Sequence, residues 1–205
     1  MRPAPLQRKD ILDATEQILR RHGATKATVV DVSRALGVSH GSIYRHFASK
    51  VELRHAVTER WLAQIIEPLE GIVSSDGPAI DRMRRWFDQL TSSKRRLAHD
   101  EPDLFDTYVQ LLADEPELQD IHVTALLDQL SAIVEQGVQD GSISSTDVRA
   151  TARATFHALS RFHHPLHRSY WLHAELEEHY RGVWHLVLVG LRHPDEHITS
   201  EMFSE

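Results

Sequence analysis

Cysteine is absent from the chain, which excludes a disulfide framework, a thiolate metal site and a cysteine nucleophile. Long apolar runs are also missing. The nearest approach, Val183 to Leu191, is interrupted by His185 and is far too short to span a bilayer. No segment alternates strictly between apolar and polar residues, so half-buried strands are not expected. Nothing repeats at the period of a solenoid. The first residues, Met1-Arg-Pro-Ala-Pro5, have no apolar core behind them, so a secretion signal is not expected and a cytoplasmic location is. What is present, 205 residues with 41% hydrophobic and 26% charged, is the composition of an ordinary globular protein with room for one large or two small domains.

Charge is divided unevenly along this chain. Residues 1–60 hold 11 Lys and Arg against 6 Asp and Glu, a balance of +5, whereas residues 61–205 hold the other 12 and 24, a balance of −12. A basic head on an acidic body implies that the head meets a polyanion, provided the basic residues fall on a motif.

Helical periodicity dominates. The spacing predicts a first helix from about Leu6 to His22, with Ile11, Ala14, Ile18 and Leu19 on one face and Gly23 at its end. Thr28-Val-Val-Asp31 has the form of a capping box and opens a short second helix that must finish before Gly37. Ser39 reopens a third to about Arg45, with Ile43 pointing inward. Ser49-Lys-Val-Glu52, another capping box, opens a longer fourth helix whose stripe of Leu53, Val57, Trp61 and Ile65 carries it to Pro68 or beyond. After the break at Ser74–Pro78, helices are expected over Ile80–Leu97, Pro102–Ala113, Leu118–Gln139 (Pro116 at its start), Ser145–His163 and Ala174–Leu191. The expectation is therefore an all-α fold of about nine helices, with a head over residues 1–50, a body over 51–205, and the fourth helix shared.

Residues 28–47 are the most informative. Two short capped helices joined by Ala35-Leu-Gly-Val-Ser39 make a helix-turn-helix, in which a glycine able to take positive φ sets the helices steeply against each other. The second helix of such a unit can enter the DNA major groove. Val29, Val32, Leu36, Val38 and Ile43 are apolar where the helices would pack. His40, Gly41, Ser42, Tyr44, Arg45 and His46 are left facing outward, and Lys50 opens the next helix, where an ammonium and helix N-terminal amides can hold a phosphate.

The string from Thr28 to Phe47, with its Gly-x-Ile-Tyr-x-His-Phe pattern and the following Ser49-Lys50 and Leu53, resembles the DNA-binding head of TetR-type transcriptional repressors. The resemblance covers about residues 7–67. It implies that Thr28, Tyr44 and Lys50 contact backbone phosphate, while Ser39, His40, Gly41, Ser42, Arg45 and His46 lie at or beside the groove. Many relatives carry Lys or Arg where this chain has His40, which adds no fixed charge when neutral. The resemblance also implies a homodimer on a palindromic double-stranded operator, paired through the last two helices. Phe156, Leu159 and Phe162 on one, with Val183, Leu186, Val187 and Leu191 on the other, are the candidate interface residues.

For the body, the resemblance implies a small-molecule effector that releases the repressor from DNA. Twelve of the 14 aromatic residues lie at or after Trp61. Trp86, Phe87, Phe105, Tyr108, Leu111, Leu112, Phe156 and Phe162 are candidates to line its pocket, although each could equally be plain core. Histidine is abundant, at 15. His163 and His167 have helical metal-ligand spacing, but Pro165 stands between them and no carboxylate completes a set, so neither metal nor cofactor is expected. A helical metalloenzyme would want paired Glu-x-x-His motifs; the single instance, Glu52–His55, lies beside the head without a mate in the body. A helical adaptor protein is the remaining alternative, and no membrane partner is expected.

Overall fold

The computed structural model describes residues 5–192, and among these every regular element is helical. The order is α1 (Arg8–Lys26), α2 (Val29–Leu36), α3 (His40–Tyr44), α4 (Lys50–Val73), α5 (Ala79–Asp100), α6 (Pro102–Ala113), α7 (Pro116–Gln139), α8 (Val148–Ala158), α9 (Ser160–His163) and α10 (Leu176–Arg192). A 3-10 turn, Pro165–Leu172, joins α9 to α10. Residues beyond 192 lie outside the description. No helix among the described residues is long and apolar enough to cross a membrane.

The chain forms two compact units. The first comprises residues up to Ile65 together with Arg96–His122, and the second comprises Ile66–Arg95 together with residues from Val123. In the first unit α1 packs on α2 and α6, and α2 on α3. Ile11, Ala14, Ile18, Val29, Val32, Ile43, Phe47, Leu53 and Ala56 form its core beneath the helix-turn-helix. Arg60 on α4 reaches Asp13 at 2.7 Å and Glu16 at 2.9 Å on α1. Burial works against the Arg60 charge, but the two carboxylates overcome that and raise its pKa. Trp61 and Tyr108 stack with centroids 4.4 Å apart and planes at 3°.

In the second unit α8 and α10 pack together, and Trp86, Phe87, Leu130, Ile133 and Leu159 are buried. Two helices differ from the sequence expectation. The helix expected to run unbroken from Ser145 to His163 starts at Val148, capped by Asp147, whose carboxylate accepts from the Ala150 amide at 2.9 Å. Ser145 instead hydrogen-bonds Thr151 Oγ1 at 2.7 Å. Leu159 then leaves helical geometry (φ −96°, ψ 4°), separating α8 from α9. The first helix continues past its expected end to Lys26, with the backbone departing from the helix at Gly23 (φ 72°, ψ 171°).

Candidate nucleic-acid interface

The head is built by local capping. Thr28 Oγ1 accepts from the Asp31 amide and the Asp31 carboxylate accepts from the Thr28 amide, both at 3.2 Å, which fixes the start of α2. The Thr28 hydrogen bonds hold the Asp31 carboxyl below its ordinary pKa. The Thr28 hydroxyl also donates to Asp31, so this side chain serves the cap as both acceptor and donor. At the other end Gly37 takes a left-handed conformation (φ 65°, ψ 31°), from which its amide returns to the Ser33 and Arg34 carbonyls. A side chain would be strained there.

Ser39 caps α3 by accepting from the Ser42 amide at 3.3 Å. One turn of helix follows, with Ile43 and Phe47 buried on one side. His40, Gly41, Tyr44 and Arg45 are exposed on the other, Ser42 and His46 are half-buried, and Lys50 is exposed at the start of α4. Arg45 donates to Ser42 Oγ at 3.1 Å, which lays its guanidinium along the outer surface of α3. Tyr44 keeps 46% of its surface exposed, unusual for an aromatic residue beside a core. At the second capping box the Glu52 amide donates to Ser49 Oγ at 3.0 Å, while the Glu52 carboxylate accepts from the Ala48 amide rather than that of Ser49.

Arg8 braces the candidate interface in a way the sequence did not reveal. Its guanidinium donates to the His46 carbonyl at 2.7 Å, approaches Glu52 at 3.4 Å and lies 4.1 Å from the centre of the Phe47 ring. It therefore clamps the end of α3 to α1 and α4. A residue 38 positions away along the chain gives no local signal of such a contact.

The candidate effector-pocket residues come from both units. Phe105, Tyr108, Leu111 and Leu112 belong to the first unit, and Trp86, Phe87, Phe156 and Phe162 to the second. Trp86 donates from Nε1 to Gln129 at 2.9 Å and meets Phe87 edge-on at 5.0 Å. The second unit does contain a cavity of about 250 Å³, lined by α5 (Arg84, Asp88, Thr91, Ser92, Arg95), by Phe162 and by α10 with Leu176, Glu177 and Tyr180. Of the candidate lining residues only Phe162 borders it. Among the candidate interface residues, Phe156, Leu159, Phe162 and Leu191 are buried within the chain's own core; Val183 and Val187 are half-buried, and Leu186 is 71% exposed.

A family model described as "Bacterial regulatory proteins, tetR family" matches residues 11–57, over the head just described. A second, described as "Tetracyclin repressor-like, C-terminal domain", matches residues 79–184. The chain belongs to the TetR family.

Among curated TetR-family relatives, the regulator UidR of Escherichia coli is 36% identical over 69 residues, covering 32% of this chain and 35% of that protein. The nucleoid occlusion factor SlmA of Vibrio atlanticus is 29% identical over 79 residues, covering 38% and 40%. The matches thus span about two fifths or less of those relatives. Two solved structures share the fold over most of the chain. FadR of Bacillus subtilis, in complex with stearoyl-CoA, has a TM-score of 0.64 at 18% identity, covering 90% of this chain and 99% of that one. SmeT of Stenotrophomonas maltophilia, the repressor of a multidrug efflux pump, has a TM-score of 0.66 at 20% identity, covering 90% and 89%.

Three body histidines of this TetR-family chain have structural partners. His163 is buried and donates from Nε2 to the Phe156 carbonyl at 3.1 Å, since a carbonyl can only accept. Its burial, assisted by the nearby Lys94 charge, pushes its pKa down to about 3, so the ring is neutral. His164 Nδ1 accepts from the Leu166 amide at 3.3 Å and starts the 3-10 turn. His179 stacks on and hydrogen-bonds Tyr170. Among the described residues no group of three His, Asp or Glu side chains is placed to hold a metal ion.

Proposed function

We propose that this chain is a ligand-responsive, DNA-binding transcriptional regulator of the cytoplasm, a repressor that grips a palindromic operator as a homodimer and is released by a small molecule. The observation that carries the reading is the outer surface of α3. His40, Gly41, Tyr44 and Arg45 are exposed on a helix whose opposite side, Ile43 and Phe47, is anchored in the core and clamped by Arg8. A rigid, polar, glycine-bearing ridge of this kind suits the floor of a major groove. Lys50 and Tyr44 suit the phosphates on either side.

One five-residue helix reads few base pairs, so a useful affinity needs two heads about one DNA turn apart, roughly 34–36 Å. The pairing surface is the outer face of α10. Gly182, Leu186, Val189 and Gly190 recur there at helical spacing; Leu186 is 71% and Val189 42% exposed. A Cβ added at either glycine would meet nothing within 4 Å in the single chain. Small and apolar residues with no intramolecular use fit a face that meets its own copy across a two-fold axis. The ligand-bound FadR and the repressor SmeT support the remaining part of the reading, in which a ligand in the body biases one arrangement and changes head spacing through α4, shared by the two units.

The test is a titration of the purified protein against palindromes from the DNA flanking its own coding sequence, with random duplex as control. The expected result is preference for one palindrome, weakening steeply with salt. Tyr44→Ala should reduce affinity for that palindrome at least tenfold with the fold intact by circular dichroism. Equal affinity for random DNA, or an undiminished Tyr44→Ala variant, would refute the reading.

A further inference from the structure

The cavity of about 250 Å³ in the second unit is bordered by four charged side chains, and all four are matched in pairs. Arg84 Nε lies 3.0 and 3.1 Å from the two Asp88 oxygens, and Arg95 pairs with Glu177 at 2.9 Å. Asp88 also accepts from Tyr180 Oη at 2.9 Å. The Arg84 guanidinium lies over the Tyr180 and Trp184 rings, 4.9 and 5.4 Å from their centres. Two cations and two anions leave the lining with no formal net charge.

The pairs do not exhaust the arginines. Arg84 engages Asp88 through Nε, and Arg95 engages Glu177 through Nη1, so further terminal N–H groups of both have no acceptor among the described residues. The hydroxyl hydrogens at the cavity are committed elsewhere. Thr91 donates to the Phe87 and Asp88 carbonyls, Ser92 to that of Gln89, and Tyr180 to Asp88. Arginine N–H groups are therefore the donors left for an incoming polar atom. The apolar part of the lining is Leu176 with Phe162 and Tyr180, which meet edge to face with centroids 5.1 Å apart and planes at 71°.

We propose that this cavity binds an uncharged aromatic ester or ketone, whose carbonyl oxygen accepts from the free Arg84 or Arg95 N–H groups and whose ring packs on Phe162, Leu176 and Tyr180. The proposal rests on the ligand-responsive reading above and adds the chemical class of the effector. An acid drawn to the arginines meets the carboxylates they already hold, and an amine drawn to the carboxylates meets the arginines. Either gives up its hydration without gaining an unmatched partner. A carbonyl gives up little and gains a hydrogen bond from a charged donor. At about 250 Å³ the cavity falls below the roughly 300–1,000 Å³ of sites for drug-sized ligands, which suits a single ring with a short substituent.

The test uses the full chain and three trios, each an ester with its acid and its amine: methyl benzoate, benzoate and benzylamine; methyl phenylacetate, phenylacetate and phenethylamine; methyl cinnamate, cinnamate and cinnamylamine. Binding is read at pH 7 by calorimetry and by thermal shift. At least one ester should bind about tenfold more tightly than both of its charged congeners. Glu177→Gln leaves Arg95 unmatched, so the preference within that trio should move toward the acid by about fivefold or more. Arg95→Gln leaves Glu177 unmatched and should move it toward the amine by a similar factor. The Arg95 and Glu177 side chains are 37% and 66% exposed, so neither change enters the core, and circular dichroism checks the fold. Opposite shifts in the two variants tie binding to this cavity. No ester bound, a charged congener preferred by the unaltered protein, or a preference that either variant leaves unmoved would each overturn the proposal. Operator affinity is measured separately with and without the ester. Ester binding with both shifts that leaves DNA affinity unchanged supports the site and overturns its role as effector site. Preference for a palindrome with no ester bound overturns the site alone, and ester bound with no palindrome preferred overturns the regulator reading alone.

Discussion

A methyl group added at Gly41 would meet only the Ser39 hydroxyl, 3.8 Å away, and Gly41 is not among the glycines with positive φ. The head therefore needs neither the space nor the conformational freedom of a glycine here, and a helix is less stable for having one, by up to about 1 kcal/mol against alanine. Close approach of a duplex is the use the proposed function gives it. Gly41→Ala should leave the melting temperature of the free protein unchanged or slightly raised while weakening operator binding at least tenfold. A calorimetric melt and a DNA titration on one preparation check both halves. Burial of Lys94 also costs stability. Unfolded, it holds its proton to its usual 10.5, and folded only to about 8. Between those values the unfolded chain binds more protons, so stability rises with pH, and the burden is fully present below pH 8. The difference corresponds to roughly 3 kcal/mol at most. Lys94→Met should accordingly raise the melting temperature at pH 7, with the gain shrinking toward pH 10.5.

At the scale of elements, the turn after α7 shows how closely two segments can be pressed together. A Cβ at Gly137 would lie 2.5 Å from Ile143 Cδ1 and 3.0 Å from the Ala79 methyl, and the Ile143 amide returns to the Gly137 carbonyl at 2.9 Å. Ile143 is buried and cannot swing away, so Gly137→Ala should cost roughly 1–3 kcal/mol by overpacking, measured by urea denaturation. Much at this scale could be read from local chemistry. Thr28 with Asp31, Gly37 and Ser39 delimit the helix-turn-helix because their effects reach only a few residues. Pro102 starts α6 for the same reason. The break at Leu159 was not legible, since His157 to His163 carries no glycine or proline and the helix yields there to packing. Nor was the choice of Asp147 over Ser145 as cap, because both are good caps two residues apart. Lys94 reads in sequence as one more solvated cation of an amphipathic helix. Only the assembled helices show that it is buried. The aromatic candidates for a pocket come from both units, and periodicity marks which side chains turn inward but not what they line.

For the whole molecule, DNA binding is expected to follow pairing. A charge at the centre of the exposed α10 face, Leu186→Glu, touches nothing in the core, since Leu186 is 71% exposed. It should give a folded monomer by analytical ultracentrifugation, with operator affinity down at least tenfold and a salt dependence near half that of the unaltered protein. A dimer that persists would show that pairing lies elsewhere. α10 uses its two sides differently. Tyr180, Trp184 and Leu191 turn inward, while Gly182, Leu186, Val189 and Gly190 turn outward. On the proposed pairing, mate choice and folding would be written on opposite flanks of one rod. Duplicated copies of such a gene could drift apart in whom they pair with, by exchanging a few outward residues, without weakening the domain that carries them.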